Sequence, residues 1–309
     1  MKEKIKNLLP KPSQQAFLDI VEQRVLGASR HINMIAQMLE ELVLINEGAD
    51  IAIKSQELLN YFISTRGEAS AAVKNALLIM GKDIDKAIHL STKEARELII
   101  SNKNSYILKA KEDNQKAISY AVNLCQDLQN IFVYDYSSMV EALILKLKNK
   151  HILVAESRAI NGGEPFLSAC KEAGHELSYF PDCAIMYHIQ HSDAAFMGAE
   201  SFFADGRAFN TIGSDLVALA CKHFSVPLYF LSSFIKIDSR PIFGHKKELP
   251  LIDLKTKFAL SNDFSKINYK FPELVAIEPE FIKAFISERG IIPASAMYEP
   301  SISYLQNLS

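Results

Sequence analysis

Helix-breaking residues are spread very unevenly: residues 1–130 carry 4 of the 12 glycines and 2 of the 11 prolines, and all the others follow. So few breakers over so long a stretch leave the backbone free to run in long helices. The apolar spacing agrees, with Ile35, Met38, Leu39 and Leu42, then Val73, Leu77, Met80 and Ile84, then Ile118, Ala121, Val122 and Cys125 recurring at helical intervals. The expectation is an N-terminal helical domain over 1–130.

After 130 the pattern changes to short β-rich runs alternating with helical stretches. The runs are IFVYDY, HILVAES, HELSYF, AAFMGAE and PLYFLSS; VEALILKLKNK, EPFLSACKEAG, AIMYHIQHS and SDLVALACKHF lie between them. Alternation of this kind predicts an α/β class domain over 131–309, Rossmann-like, with a parallel sheet and helices on both faces. Ligands of such sheets bind beyond the carboxyl ends of the strands. The positions to inspect are therefore 135–138, 156–163, 182, 198–210 and 232–233. Residues 240–275, with Pro241, Pro250 and Pro272, read as either a long loop or an added hairpin. A G-x-G-x-x-G turn after the first strand and a Walker loop are both absent, which argues against nicotinamide and nucleoside-triphosphate enzymes of those types.

Charge narrows the partners. The chain has 34 basic and 36 acidic residues and a formal charge of −2. Residues 1–130 hold 17 basic against 16 acidic residues, so no hidden basic half offers itself to a phosphate polymer. Direct nucleic-acid binding is not expected. The lysines of MKEKIKNLLPKP are not followed by a signal-length apolar run, and no run of membrane-spanning length occurs, so a cytoplasmic protein with no membrane partner is expected. Cys125, Cys170, Cys183 and Cys221 lie far apart, which reads as reduced, buried side chains with no metal site. His151, His175, His188, His191 and His223 sit at unrelated spacings and read as structural or exposed.

Two strand-end stretches are rich in glycine and polar groups: ESRAINGG at 156–163 and GAESFFADGRAFNTIGS at 198–214. An arginine followed by paired glycines at a helix start offers a guanidinium fork and backbone N–H groups to one anion. Arg158 with Gly162 and Gly163 is therefore a phosphate-site candidate. The alternative is that Arg158 pairs with a local carboxylate and the glycines only make the turn.

These stretches, with FPDC, VPLYFLSS and ELVAIEPEFIKAFISERGIIP in the same order, resemble the initiation factor 2B alpha/beta/delta family. That family also contains methylthioribose-1-phosphate and ribose-1,5-bisphosphate isomerases. The likeness is greatest to its regulatory alpha-subunit branch: VYDYS at 133–137, ESRA at 156–159, MGAE at 197–200 (with Gly198) and NTIGS at 210–214 look like its T-H-A-Y-S, E-S-x-P, V-G-A-E and N-K-I-G-T. Over 1–130, LGASRHINMIAQML and ISTRGEASAAVKNAL resemble the family's G-A-x-x-I and R-P-T-x-x-x-x-N-A-L stretches. The resemblance implies that Gly27, Ala28, Ser29 and Arg66 reach a ligand phosphate from the helical domain, that Arg158 does so from the sheet domain, and that Asn210 contributes its amide. It implies an interdomain ligand, a phosphorylated sugar or nucleoside monophosphate, with no cofactor or metal. A homodimer is implied too, with a larger assembly of translation-factor type as a further partner.

The departures are as informative. The isomerases use a Cys after the first sheet strand and an Asp in G-A-D after the fourth; those positions here are Asp135 and Glu200, and the Lys of N-K-x-G-T is Thr211. A carboxylate does not replace a thiol, and a misplacement of about 1 Å can cost about 100-fold in rate. The leading expectation is therefore a regulatory or assembly protein in which the isomerase chemistry is lost. The other reading makes Asp135 and Glu200 an acid and base for aldose–ketose isomerisation, their pKa values split by proximity. In the plainer view of the same pair, Asp135 caps the following helix and Glu200 pairs with Arg158 or takes a ligand hydroxyl. Asp182 either orders the site or the dimer contact, or caps the helix that follows. The expected dimer surface combines Ile185, Met186 and Ile189 with Ile282, Phe285 and Ile286.

Overall fold

A computed structural model describes residues 1–25, 27–249, 251–253 and 268–308. The chain divides into two compact units, Met1–Glu112 with the extreme C-terminus, and Asp113–Gln306.

The first unit is helical: α1 Lys2–Leu8, α2 Lys11–Val21, α3 Ala28–Ile45, α4 Ala49–Ile63, α5 Arg66–Ala69, α6 Ala71–Met80 and the first part of α7, Thr92–Leu124. The spacing-derived stripes are its core. Ile35, Met38, Leu39 and Leu42 of α3 and Val73, Leu77 and Met80 of α6 are fully buried, each worth about 2 kcal/mol of apolar transfer. Phe17, Tyr61 and Phe62 close the α2–α4 contact as an aromatic cluster with centroids 5.3–5.5 Å apart.

In the second unit the strands are β1 Asn130–Val133, β2 His151–Ala155, β3 Glu176–Phe180, β4 Ala194–Met197, β5 Ser201–Phe202, β6 Ala208–Thr211, β7 Leu228–Leu231, β8 Leu251–Asp253, β9 Lys270–Pro272, β10 Leu274–Ile277, β11 Ala284–Ser287 and β12 Gly290–Pro293. The helices are α8 Ser138–Lys146, α9 Pro165–Ala173, α10 Ile185–Ile189, α11 Ser214–Phe224 and α12 Tyr298–Gln306. The main sheet has seven strands in the order β12-β11-β7-β4-β1-β2-β3, parallel except for the β11–β12 pair.

Strand periodicity divides the core between the faces. Phe132, Leu153, Ala195, Met197 and Phe230 pack with Ile185 and Ile189 of α10 and Val217 and Cys221 of α11. Their neighbours Ile131, Val133, Ile152, Val154, Phe196 and Leu231 pack with α8, α9 and the end of α7 (Ala117, Ala121) on the other face. Helices thus cover both faces, as an α/β sheet of near-continuous apolar strands requires.

Three expectations are corrected. Ile282, Phe285 and Ile286 are not a helical surface stripe: Phe285 and Ile286 are adjacent in β11, face opposite sides of the sheet and are fully buried. Ile185 and Ile189 are core residues as well, leaving Met186 exposed. Cys125, Cys170 and Cys221 are buried, whereas Cys183 is exposed because it lies in the surface turn Asp182–Ala184.

A second sheet, β10-β6-β5, is antiparallel and carries part of the 198–214 stretch. Within 240–275, β8 and β9 pair antiparallel, and 254–267 lie outside the described residues. Among the described residues no helix is long and apolar enough to cross a membrane.

Candidate functional site

From β1 the chain proceeds outward to β2 and β3 on one side, while β4, β7 and β11 continue on the other. The direction of winding reverses between β1 and β4, and in open α/β sheets the crevice beyond the strand ends at such a point is where ligands bind. Asp135 follows β1; Gly198 to Glu200 follow β4.

Asp135 is 5% exposed and sits in the left-handed backbone region at φ 59°. Among the described residues its Oδ1 has no hydrogen-bond partner, which is unusual for so deeply buried a carboxylate oxygen. Burial pushes its pKa up to about 6, against the Thr211 side chain, the Tyr136 backbone and the Lys236 ammonium, which pull it down; Glu273 pushes it further up. Ser157, at the end of neighbouring β2, is likewise fully buried and left-handed, at φ 47°. Non-glycine residues at positive φ are costly and cluster where a fold stores strain at a site.

Glycines let the strand ends close together. A Cβ on Gly162 would lie 2.3 Å from Asp135 Oδ1, and one on Gly198 would lie 2.5 Å from the Ser137 side chain. One on Gly163 would lie 2.1 Å from the Ala155 carbonyl oxygen. The amides of Gly162 and Gly163 donate to the Ser157 and Glu156 carbonyls, at 3.2 and 3.1 Å. What this pair supplies here is the turn and the close approach. Asp182 orders the same loop, its carboxylate accepting from the Ser157 and Arg158 amides at 2.9 Å each. It makes no cap to the turn that begins with it. The Arg158 side chain stays exposed.

The helix after β1 is capped by Ser137, whose Oγ accepts from the Val140 amide, so the cap reading of Asp135 does not hold. Asn210 donates through Nδ2 to Ser214 Oγ at 3.0 Å, and Asn210 and Thr211 are both buried in β6. Tyr134 donates to the Ile212 carbonyl at 2.9 Å, its hydroxyl seated against Gly213.

Glu200 pairs with Lys247 at 3.1 Å, not with Arg158. The Lys247 side chain is 5% exposed, also bonds Ser201 Oγ and lies 4.9 Å above the Phe209 ring. A second lysine enters from the end of β7: Lys236 donates to the Ala199 carbonyl at 2.6 Å. Burial lowers its pKa, while Glu200 and then Asp135 pull it up. Ile237 bridges to Phe202 of β5, and the Asp238 amide donates to the Phe202 carbonyl at 2.9 Å, fixing this loop. Burial pushes the Asp238 carboxyl up, but the Arg240 fork, at 2.9 and 2.7 Å, outweighs it and holds the carboxyl low. Neither lysine was among the residues singled out from sequence. Lys236 lies three residues past the Ser232–Ser233 pair and five past the end of β7, and that proximity was the available signal.

In the first unit, Gly27 (φ 100°) is the N-cap of α3 and makes no side-chain cap, so Ala28 and Ser29 open the helix with uncapped amides. Arg66 opens α5 and donates from Nε to His31 Nδ1 at 3.3 Å. Among the described residues no group of three or more His, Cys, Asp or Glu has metal-site geometry.

Residues 27–294 match the family model described as the Initiation factor 2 subunit family. The chain is similar to a ribose 1,5-bisphosphate isomerase of Methanocaldococcus jannaschii, 22% identical over 288 residues that cover 91% of each protein. Among solved structures it resembles the translation initiation factor eIF-2B of Pyrococcus horikoshii OT3 (TM-score 0.74, 19% identity, 92% of this chain and 98% of that one). It also resembles the 5-methylthioribose 1-phosphate isomerase of the same organism (TM-score 0.75, 16% identity, 98% and 92%). At these identities the structural likenesses establish the fold.

Proposed function

The chain belongs to the Initiation factor 2 subunit family, and from that premise we propose that it binds a phosphorylated sugar or a nucleoside monophosphate in a regulatory or assembly role. The observation that carries this reading is the buried Asp135 Oδ1, left without a partner at the switch point of the sheet. A ligand hydroxyl donating to that oxygen would remove an unmet desolvation cost of about 1–3 kcal/mol. Asn210 and the Glu200 carboxylate offer further polar contacts, and Arg66 and Arg158 are the arginines assigned to phosphate. The protein acts in the cytoplasm as a homodimer, with a translation-factor-type assembly as its larger partner.

Isomerase chemistry is not the reading that this cluster favours. A general base must be free to take a proton, and Glu200 is held by Lys247 and also faces the Lys236 charge. One observation favours the second reading, an aldose–ketose isomerase: burial pushes the Asp135 pKa up to about 6, towards the range in which a carboxyl can exchange a proton with substrate.

The test is calorimetric titration of ribose 5-phosphate, a sugar 1-phosphate and AMP, together with NMR of ribose 1,5-bisphosphate and methylthioribose 1-phosphate incubated with the protein. Binding without conversion is the expected result. Conversion abolished by both Asp135→Asn and Glu200→Gln would replace this reading with the isomerase.

A further inference from the structure

His31 is fully buried on the first turn of α3, and both of its ring nitrogens are engaged. Arg66 Nε–H, 3.3 Å from Nδ1, is a donor that never accepts, so Nδ1 carries no proton. The proton therefore sits on Nε2, which donates to the Val25 carbonyl at 2.7 Å. Val25 stands two residues before Gly27. One imidazole thus ties the segment leading into the Gly27–Ser29 turn to the guanidinium of Arg66.

We infer that His31 is a positioning residue that sets Arg66 and the Gly27–Ser29 turn in register for an anionic ligand. The inference rests on the assignment of Arg66 to the phosphate given above. A guanidinium recognises an anion through the directions of its N–H groups, and a contact at Nε fixes the plane in which those groups lie. A second consequence follows from the tautomer. A protonated His31 has no lone pair for Arg66 and would place a positive charge 3.3 Å from it, so the anchor exists only in the neutral form. Burial and the Arg66 charge both favour that form, while the Val25 carbonyl opposes them. Among the described residues, Arg66, from α5, is the charged group that bears on the ring, and Val25, from the segment before α3, is its other polar contact.

The experiment measures sulfate and ribose 5-phosphate affinity between pH 5 and pH 8 for wild type, His31→Phe, His31→Gln, Arg66→Ala and the double variant His31→Phe/Arg66→Ala. Sulfate keeps its charge across this range, so any pH dependence belongs to the protein. His31→Phe is expected to weaken binding about tenfold, as losing one oriented charge-assisted contact would. His31→Gln, which retains a donor and an acceptor, should recover most of the affinity, and the double variant should be no weaker than Arg66→Ala. Wild-type sulfate affinity should fall towards pH 5 while that of His31→Gln stays flat. Full affinity in His31→Phe beside a loss in Arg66→Ala would overturn the role of His31 and leave Arg66 in place. No loss in Arg66→Ala would overturn the phosphate assignment itself, and this inference with it. Should His31→Phe fail to fold, nitrogen-15 NMR decides: a protonated Nε2 and bare Nδ1 in wild type, changed in Arg66→Ala, supports the anchor, and any other tautomer refutes it.

Discussion

Lys236 Nζ donates to the Ala199 carbonyl at 2.6 Å, tying the end of β7 to the end of β4. The bond fixes a cation beside Glu200 and within electrostatic reach of Asp135. The switch-point crevice therefore holds a lysine among its carboxylates, and the pKa rise of Asp135 comes first from burial, with Glu273 as a smaller contribution in the same direction. This differs from a carboxylate dyad, in which mutual repulsion drives the shift.

Replacing that cation should move Asp135 in a fixed direction. Lys236 lowers the Asp135 pKa, so Lys236→Met is expected to raise its titration midpoint above the wild-type value of about 6. Carbon-13 NMR of the Asp135 carboxyl reads this directly, and an unchanged or lower midpoint would refute the coupling.

Stability should respond to pH with the sign opposite to that of a salt-bridged aspartate. The folded-state pKa near 6 lies above the unfolded value of about 3.9, so between these values the folded protein binds more protons and loses stability as pH rises. At pH 8 the full cost is about 3 kcal/mol, and it is absent below about pH 4. Asp135→Asn should therefore stabilise the protein at pH 8 and make little difference at pH 4, measured by urea denaturation. Equal effects at both pH values would rule out the burial penalty.

Gly162 should tolerate no side chain. A Cβ there would lie 2.3 Å from Asp135 Oδ1 and 3.1 Å from Ser157 Oγ. Gly162→Ala is expected to cost about 1–3 kcal/mol, the range for overpacking a filled site. It should also displace Asp135, visible as a changed Asp135 titration. Wild-type melting and titration in this variant would contradict the packing.

The proposed homodimer has a revised surface. On adjoining helices, α10 exposes Met186 and Tyr187 and α11 exposes Leu216 and Leu219, at 47–64%. An apolar patch of this kind is covered in a stable oligomer. Sedimentation at micromolar concentration should show twice the chain mass, and Tyr187→Glu with Leu219→Glu should give the monomer. A wild-type monomer would remove the proposal.

The five parallel runs and the helices between them were legible because β-branched and aromatic clusters of strand length alternate with helical periodicity. The small sheet was not. β5 and β6 are two and four residues long and lie within a polar, glycine-rich stretch whose composition reads as loop. Ile282, Phe285 and Ile286 show why short apolar runs are ambiguous: their spacing suits a helix, yet β11 buries consecutive residues on opposite faces. Asp135 and Glu200 could be located at strand ends, but their partners could not. Ser137 takes the cap, and Lys247 reaches Glu200 from 47 positions away, a separation that local pattern does not encode.

The glycines at 162, 163, 198 and 213 are crowded by Asp135, Ala155, Ser137 and Tyr134 respectively. At Gly163 the constraint is clearance from the main chain, whereas at 162, 198 and 213 it is set first by the neighbouring side chain. Exchanges at Glu200, Thr211 or Lys236 touch none of these contacts, while one at Asp135 changes what Gly162 meets. The crevice is thus divided between positions that can change independently of the glycine turns and one, Asp135, that is tied to them.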